Sequence, residues 1–196
     1  MKNMNAVVTG GTRGIGLAIA ESLVKHGASV ALVYGSDDEA ADEAVRRIKS
    51  TSHNGVPVTT VKGDVGDAKA VAENYRRVRE ELGPVQVLVN NAGIMQNLGY
   101  SELTAEDWNR TIAVNLNGAF YWSSEVVPDM KNEGFGRIVN IASIAARGGG
   151  LIGPHYAASK AGMLGLTRYA AKELGSFGIT VRTSVLSEKI AIVCSN

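Results

Sequence analysis

The chain carries one cysteine, Cys194, in 196 residues. A lone thiol forms no internal disulfide and builds no cysteine metal cluster. Proline is scarce too, with 4 residues, and no Pro-rich linker, internal repeat or low-complexity segment interrupts the chain. No apolar run reaches the ~20 residues that span a bilayer. The N-terminal "MKNMNAVVTG" lacks the apolar stretch of a signal peptide and enters a strand almost at once. A cytoplasmic location is expected. Charge of neither sign dominates: 20 Lys+Arg stand against 19 Asp+Glu. Without a basic block, neither nucleic acid nor a membrane is expected as a partner. Hydrophobic residues make up 45% and charged residues 20%, the balance of an ordinary globular protein. The length suits one domain, residues 1–196, with a sizeable core.

What the chain has in quantity is glycine, 23 residues, and short runs rich in Val and Ile. The runs are "AVVTG" at 6–10, "SVALVY" at 29–34, "VPVTTV" at 56–61, "VQVLVN" at 85–90, "RIVNIA" at 137–142 and "ITVRTSVL" at 179–186. They are mostly not alternating, which is how strands buried on both faces read. Helical patterns lie between them. Val71, Tyr75, Val78 and Leu82 form one apolar stripe. In "SDDEAADEAVRRIKS" acids crowd the first turn and bases the last, complementing the helix dipole. Segments near 16–26, 104–130 and 155–176 also read as helices. Strand and helix in alternation predict right-handed crossovers and an α/β fold, a three-layer doubly wound parallel sheet.

Three places carry chemistry. The first is "TGGTRGIG", with Gly10, Gly14 and Gly16 between a strand and a helix. Glycines there let a pyrophosphate approach the N–H groups at the helix start. The spacing is not the commoner G-x-G-x-x-G, and a plain tight turn stays open as the alternative. The second is the end of the second strand, "ALVYGS", where no acid stands to hold a ribose 2′-OH. Arg13 and Ser36 there suggest a 2′-phosphate, hence NADP(H). Asp37 and Asp38 count against it, and Asp37 also reads as a helix cap. The third is "GPHYAASKAG", which puts Tyr156 and Lys160 on one helix face. Coincidence on a helix face is the alternative for that pair.

The first and third of these motifs stand in order with four more: "GDV" at 63–65, "NNAG" at 90–93, Asn115 in "VNLNG" and Ser143 in "NIASIAA". From about Asn5 to Val181 the chain resembles the short-chain dehydrogenase/reductase family, and within it the 3-oxoacyl-[acyl-carrier-protein] reductases. The resemblance implies a Rossmann sheet of order 3-2-1-4-5-6, with the seventh strand in doubt. It implies an NADP-dependent oxidoreductase acting on a small-molecule or acyl-carrier-bound carbonyl substrate, in fatty acid or polyketide metabolism. Gly10, Thr12, Gly14, Ile15 and Gly16 would bind the cofactor, with Arg13 and Ser36 at its 2′-phosphate. Asp64 would accept from the adenine amino group, with Val65 beside it, and Asn90, Ala92 and Gly93 would line the cofactor. Ser143 would bind the substrate carbonyl. Asn115 would hold a water linked to Lys160, and Lys160 would bond the nicotinamide ribose. Tyr156 would donate the proton. A free tyrosine titrates near ~10, and reaching ~7 takes roughly 4 kcal/mol. A neighbouring ammonium supplies up to about 4 kcal/mol at an effective dielectric near 20.

The resemblance fails after Val181. Arg182 stands where the family has Asn, and the family's Pro-Gly turn is missing from "RTSVLSEKIAIVCSN". Residues 182–196 are therefore read as a divergent or truncated tail without a substrate lid, with "KIAIVC" as a candidate seventh strand. Two functions compete: a working carbonyl reductase, and a catalytically impaired NADP-binding protein or partner subunit. Helices near 104–130 and 155–176 resemble those of the family's dimer, so a homodimer is expected, with a homotetramer as the larger form. Met95, Gln96, Ile144, Leu151 and Ile152 mark an apolar pocket without naming a substrate. His155 reads as a helix-start residue.

Overall fold

The structure is a computed structural model and describes residues 4–51 and 55–186. Six strands lie among these residues: β1 (Asn5–Thr9), β2 (Ser29–Tyr34), β3 (Val58–Lys62), β4 (Val87–Asn90), β5 (Gly136–Ser143) and β6 (Ile179–Leu186). Between them run α1 (Gly14–Lys25), α2 (Asp38–Thr51), α3 (Ala68–Leu82), α4 (Ala105–Ile112), α5 (Gly118–Glu133), the one-turn α6 (Ala145–Gly148) and α7 (Pro154–Leu174). All pairings are parallel, in the order β3-β2-β1-β4-β5-β6. The expected α/β sheet and its order are thus the observed ones. The segment 189–194, read as a candidate seventh strand, lies outside the described residues.

The strands read as unbroken apolar runs because the two faces are covered by different helices. Val7 of β1 and Ala31 and Val33 of β2 join a core with Tyr75 and Val78 of α3 and Trp122, Val126 and Met130 of α5. The alternate residues Ala6, Val8, Val30 and Leu32 join a second core with Leu17, Ala20 and Leu23 of α1 and Ile48 of α2. Each face needs apolar side chains, so the period-2 signal vanishes. Tyr75 meets Trp122 edge-on, with centroids 6.5 Å apart.

Helix starts are set locally. Asp67 accepts from the N–H groups of Lys69 and Ala70 to open α3. Thr104 and Asp107 form a reciprocal capping box on α4. Asp37 Oδ1 accepts from Ala40 N at 3.0 Å at the start of α2. The helix expected over 104–130 is divided. A π-helical turn, Ala113–Asn117, separates α4 from α5. It forms where the chain docks on the β3–α3 turn: a methyl group on Gly66 would lie 3.2 Å from the Ala113 carbonyl carbon, and one on Gly118 would lie 2.9 Å from Val65 O.

Because β1 has β2 on one side and β4 on the other, the connections leave it in opposite directions. A crevice opens at the carboxyl ends of β1 and β4. Beyond it, a buried polar chain ties β4, β5, α7 and β6 together. Asn90 Nδ2 donates to Asn140 Oδ1 at 2.9 Å, Asn140 Nδ2 donates to Thr167 Oγ1 at 2.8 Å, and the Thr183 hydroxyl donates to Thr167 at 2.9 Å. Thr167 in turn donates to Met163 O at 2.8 Å. Asn140→Ala removes the nearest of three acceptors of the buried Asn90 amide, beside Ala119 O and Ser123 Oγ, and a donor to Thr167, and is expected to cost about 1 kcal/mol in urea unfolding. A loss below ~0.5 kcal/mol would show that the chain contributes nothing.

Candidate active site

The crevice is a cavity of about 620 Å³, walled by the β1–α1 turn, the end of β2, the β3–α3 turn and the segment after β4. Gly10 sits at φ 62°, and a methyl group on it would lie 3.1 Å from Ala92 Cα and from Asn91 Nδ2. The backbone is left bare where the two loops meet. Gly14, at φ 52°, begins α1. Gly16 faces inward, and a side chain there would run into Gly10 O. Gly14 and Gly16 therefore shape the turn, while Gly10, Thr12, Arg13 and Ile15 form the wall. No side chain caps the first turn of α1. Its N–H groups remain suited to an anion. Bare backbone and open helix N–H groups fit a pyrophosphate, as a dinucleotide cofactor requires.

Arg13 and Ser36 both line the far side of the cavity, with Asp37 beside them. Both acids of "SDD" are engaged. Asp37 caps α2, and Asp38 receives Lys62 Nζ at 2.7 Å and the Tyr34 hydroxyl at 2.8 Å. The Lys62 ammonium and that hydroxyl hold the Asp38 carboxyl below its usual range. Asp64 lines the cavity as well. It accepts from Gly66 N at 2.9 Å through one oxygen and from Arg110 Nη1 at 2.5 Å through the other. Partial burial works against its charge, but Arg110 and the Gly66 N–H outweigh that and keep its pKa below the ordinary value.

The segment after β4 is fixed by Thr9. Its Oγ1 accepts from Asn91 N and Ala92 N, both at 3.0 Å. Asn91 Nδ2 donates back to Thr9 O at 3.0 Å and Gly10 O at 3.1 Å. Ala92 and Gly93 line the cavity beside Asn91. Asn90 does not reach it: its side chain turns into the sheet, donating to Asn140, because β4 alternates and its neighbour faces the cleft. Thr9 and Asn91 stand inside "TGGTRGIG" and "NNAG" without an assigned role, and Arg110 stands in no motif. Their partners lie 46 to 83 residues away, so the contacts cannot be read locally.

Gly93 joins the cavity to a second cluster. A methyl group on it would stand 3.4 Å from Asn115 Oδ1 and 3.7 Å from Lys160 Nζ. Asn115, fully buried in the π-helical turn, accepts from Ile94 N at 2.8 Å. It donates to Ile94 O at 2.9 Å and to Ser159 Oγ at 3.2 Å. Its amide is thus a clamp on the main chain beside Gly93. The buried stripe of α7 is largely polar: His155, Ser159, Lys160 and Thr167 with Met163. Lys160 Nζ donates to Ile141 O at 2.9 Å and lies 5.7 Å from the centre of the Tyr156 ring. An ammonium has three N–H donors, so Ile141 leaves it capacity for further partners. Ser143, buried at the end of β5, accepts from Ala145 N at 3.2 Å. Accepting that bond leaves its own O–H to donate.

Lys160 is 4% exposed, and desolvation pulls its pKa from 10.5 down to about 8. It still carries a proton at pH 7. Between pH 8 and 10.5 the unfolded chain binds more protons here than the native one, so stability rises with pH in that window. The shift corresponds to about 3 kcal/mol. Lys160→Met removes this dependence. The wild type is expected to gain roughly that amount on the variant between pH 8 and 10.5 in denaturant titrations, and parallel curves would contradict the buried charge.

Residues 4–186 match the short chain dehydrogenase family. An acetoacetyl-CoA reductase of Rhizobium meliloti (strain 1021) is 42% identical over 176 residues, covering 90% of this chain and 70% of that protein. A 3-oxoacyl-[acyl-carrier-protein] reductase FabG of Staphylococcus epidermidis is 38% identical over 179 residues, 91% of this chain and 72% of that one. Among solved structures, a doubly substituted Serratia marcescens short-chain dehydrogenase/reductase superposes with a TM-score of 0.85. It is 36% identical and covers 93% of this chain and 73% of its own. A match of this extent, on this sheet order and with these loops, means that the chain belongs to the short chain dehydrogenase family.

Proposed function

We propose that the protein is an NADPH-dependent carbonyl reductase whose substrate is a 3-oxoacyl thioester. The observation that carries this reading is the buried Lys160 ammonium beside the Tyr156 ring, next to Gly93 of the crevice wall. The names of the relatives, an acetoacetyl-CoA reductase and a 3-oxoacyl-[acyl-carrier-protein] reductase, support the substrate class. NADPH, when bound, supplies the hydride that adds to the keto carbon.

The chain's own residues do the rest. Tyr156 gives its phenolic proton to the carbonyl oxygen, and the adjacent ammonium stabilises the phenolate that remains. Low exposure strengthens that effect, because the interaction is little screened. Ser143 donates its hydroxyl to the same carbonyl oxygen. Lys160 keeps donors for the nicotinamide ribose, and Asn115 holds the Gly93–Ile94 main chain against both. Product is a 3-hydroxyacyl thioester, and Tyr156 is reprotonated from solvent.

The preference for NADP(H) rests on Arg13 and Ser36 at the cavity wall, with Asp37 and Asp38 engaged elsewhere. Arg13→Gln is expected to raise the KM for NADPH about tenfold and leave that for NADH unchanged. An equal change for both would assign Arg13 to the pyrophosphate instead.

Tyr156→Phe is expected to lower NADPH oxidation with acetoacetyl-CoA at least ~100-fold, with NADPH still raising the melting temperature. Retained turnover would remove Tyr156 from the reaction. Wild-type binding of NADPH without turnover would favour the cofactor-binding partner over the enzyme.

A further inference from the structure

Two loops meet beside the reacting residues, and the mechanism above uses neither. One, residues 95–98, continues from the Gly93–Ile94 main chain that Asn115 holds. The other, residues 149–153, joins α6, which follows Ser143, to α7, which carries Tyr156. Hydrogen bonds tie the two together. Leu98 N donates to Ile152 O at 3.0 Å. Asn97 donates its side-chain amide to Leu151 O at 2.8 Å and to Ile152 O at 3.3 Å. The reverse orientation of that amide would set its oxygen against two carbonyls. The tie is seated on α7. Gly153, at φ 146°, is wedged between the loops: a methyl group on it would run into Leu98 O on one side and lie 2.7 Å from Cε1 of the fully buried His155 on the other. Gly153 O accepts from Ala157 N at 3.1 Å, in the helical turn that holds Tyr156.

What the tied loops present to water is apolar. Met95, two residues before Asn97, is 65% exposed, and Leu151, whose carbonyl Asn97 holds, is 84% exposed. Ile144, next to Ser143, is exposed as well. A single exposed apolar side chain needs no explanation. These stand on segments continuous with Ser143, Tyr156 and Gly93. A 3-oxoacyl thioester has a polar carrier arm on one side of its keto group and a hydrocarbon chain on the other. The hydrocarbon chain is the part that suits this surface. Laid across Met95 and Leu151, it leaves water and covers both side chains. The gain depends on the two loops standing at one fixed separation, since a rest that must be ordered on binding gives back part of it.

We propose that Asn97 is a positioning residue for the acyl chain of the substrate: its amide ties loops 95–98 and 149–153 into one apolar rest, so the site favours longer-chain 3-oxoacyl thioesters over an acetoacetyl thioester. The proposal rests on the reading of the protein as a 3-oxoacyl thioester reductase. An acetoacetyl group ends in a methyl group at the keto carbon and has no chain to lay on the rest. Each methylene added beyond it gains when it leaves water.

The test compares kcat/KM for 3-oxooctanoyl-CoA and acetoacetyl-CoA, with NADPH as reductant. The wild type is expected to prefer the longer thioester about tenfold, as about two buried methylenes would give. Asn97→Ala is expected to bring the two within about twofold of each other, through a raised KM for the longer thioester rather than a lowered kcat. Asn97→Asp keeps the shape but sets a carboxylate against two carbonyls, and is expected to lose the preference too. Asn97→Gln keeps the donor and is expected to restore part of it. Leu151→Ser leaves the tie intact, removes half of the rest and is expected to lower the same ratio. A merely structural role for Asn97 would lower kcat/KM for both thioesters and keep their ratio, and that result would overturn the proposal. A preference that survives Leu151→Ser would overturn it as well. Equal use of the two thioesters by the wild type would overturn it and leave the reductase reading standing. Turnover of neither would overturn that reading, and this proposal with it.

Discussion

A positive charge in a buried place organises this molecule. Lys160 is held by one main-chain carbonyl, Ile141 O, in a spot where water is largely excluded. Keeping an ammonium there costs stability, which is why its pKa falls. In the proposed function that charge is used. A weakly screened ammonium beside a phenol acts on the phenol's proton far more than the same pair would at the surface. The polar stripe of α7 follows from this. Where a core helix would bury Leu or Val, this one buries Ser159, Lys160 and Thr167, each with hydrogen-bond partners.

The rest of the site is a way of bringing backbone close to that charge. Thr9 seizes the segment leaving β4 through two N–H groups, and Asn115 seizes it again through Ile94. Between the two clamps lie Ala92 and Gly93, small enough to leave the crevice open. The sheet contributes by placing β1 and β4 side by side, so their carboxyl ends deliver both walls of the crevice from one topological switch. Both clamps are side chains, Thr9 and Asn115, hydrogen-bonded to the main chain, and the proposed hydride transfer would depend on the geometry they fix.

Much of this was legible in the sequence, and the reason is physical. Strands buried on both faces must be apolar throughout, so β1, β2 and β4 announced themselves most plainly. The stripe Val71, Tyr75, Val78 announced α3, and Asp37 did cap α2. The glycines of "TGGTRGIG" announced a bare turn, though not that Gly16 packs on Gly10 O within the turn while Gly10 lines the crevice. What stayed hidden depends on contacts distant in sequence. The π-helical turn at 113–117 comes from docking on Gly66 and Val65, and nothing in "AVNLN" encodes it. The same holds for Asn90, whose amide looks inward to Asn140, and for Arg110, whose partner lies 46 residues earlier. The acids of "SDD" read as obstacles to a 2′-phosphate until the structure gave each a partner.

The claim on which the account stands is that the Lys160 ammonium is buried, charged at neutral pH and weakened as an ammonium by its surroundings. Titrating the side-chain nitrogens of 15N-labelled lysine by NMR, with Lys160→Met to assign the signal, measures this directly. The account predicts a Lys160 midpoint near 8. A Lys160 signal titrating near ~10.4, the free-lysine value, would mean that the charge is solvated, and the organising role given to it here would be wrong.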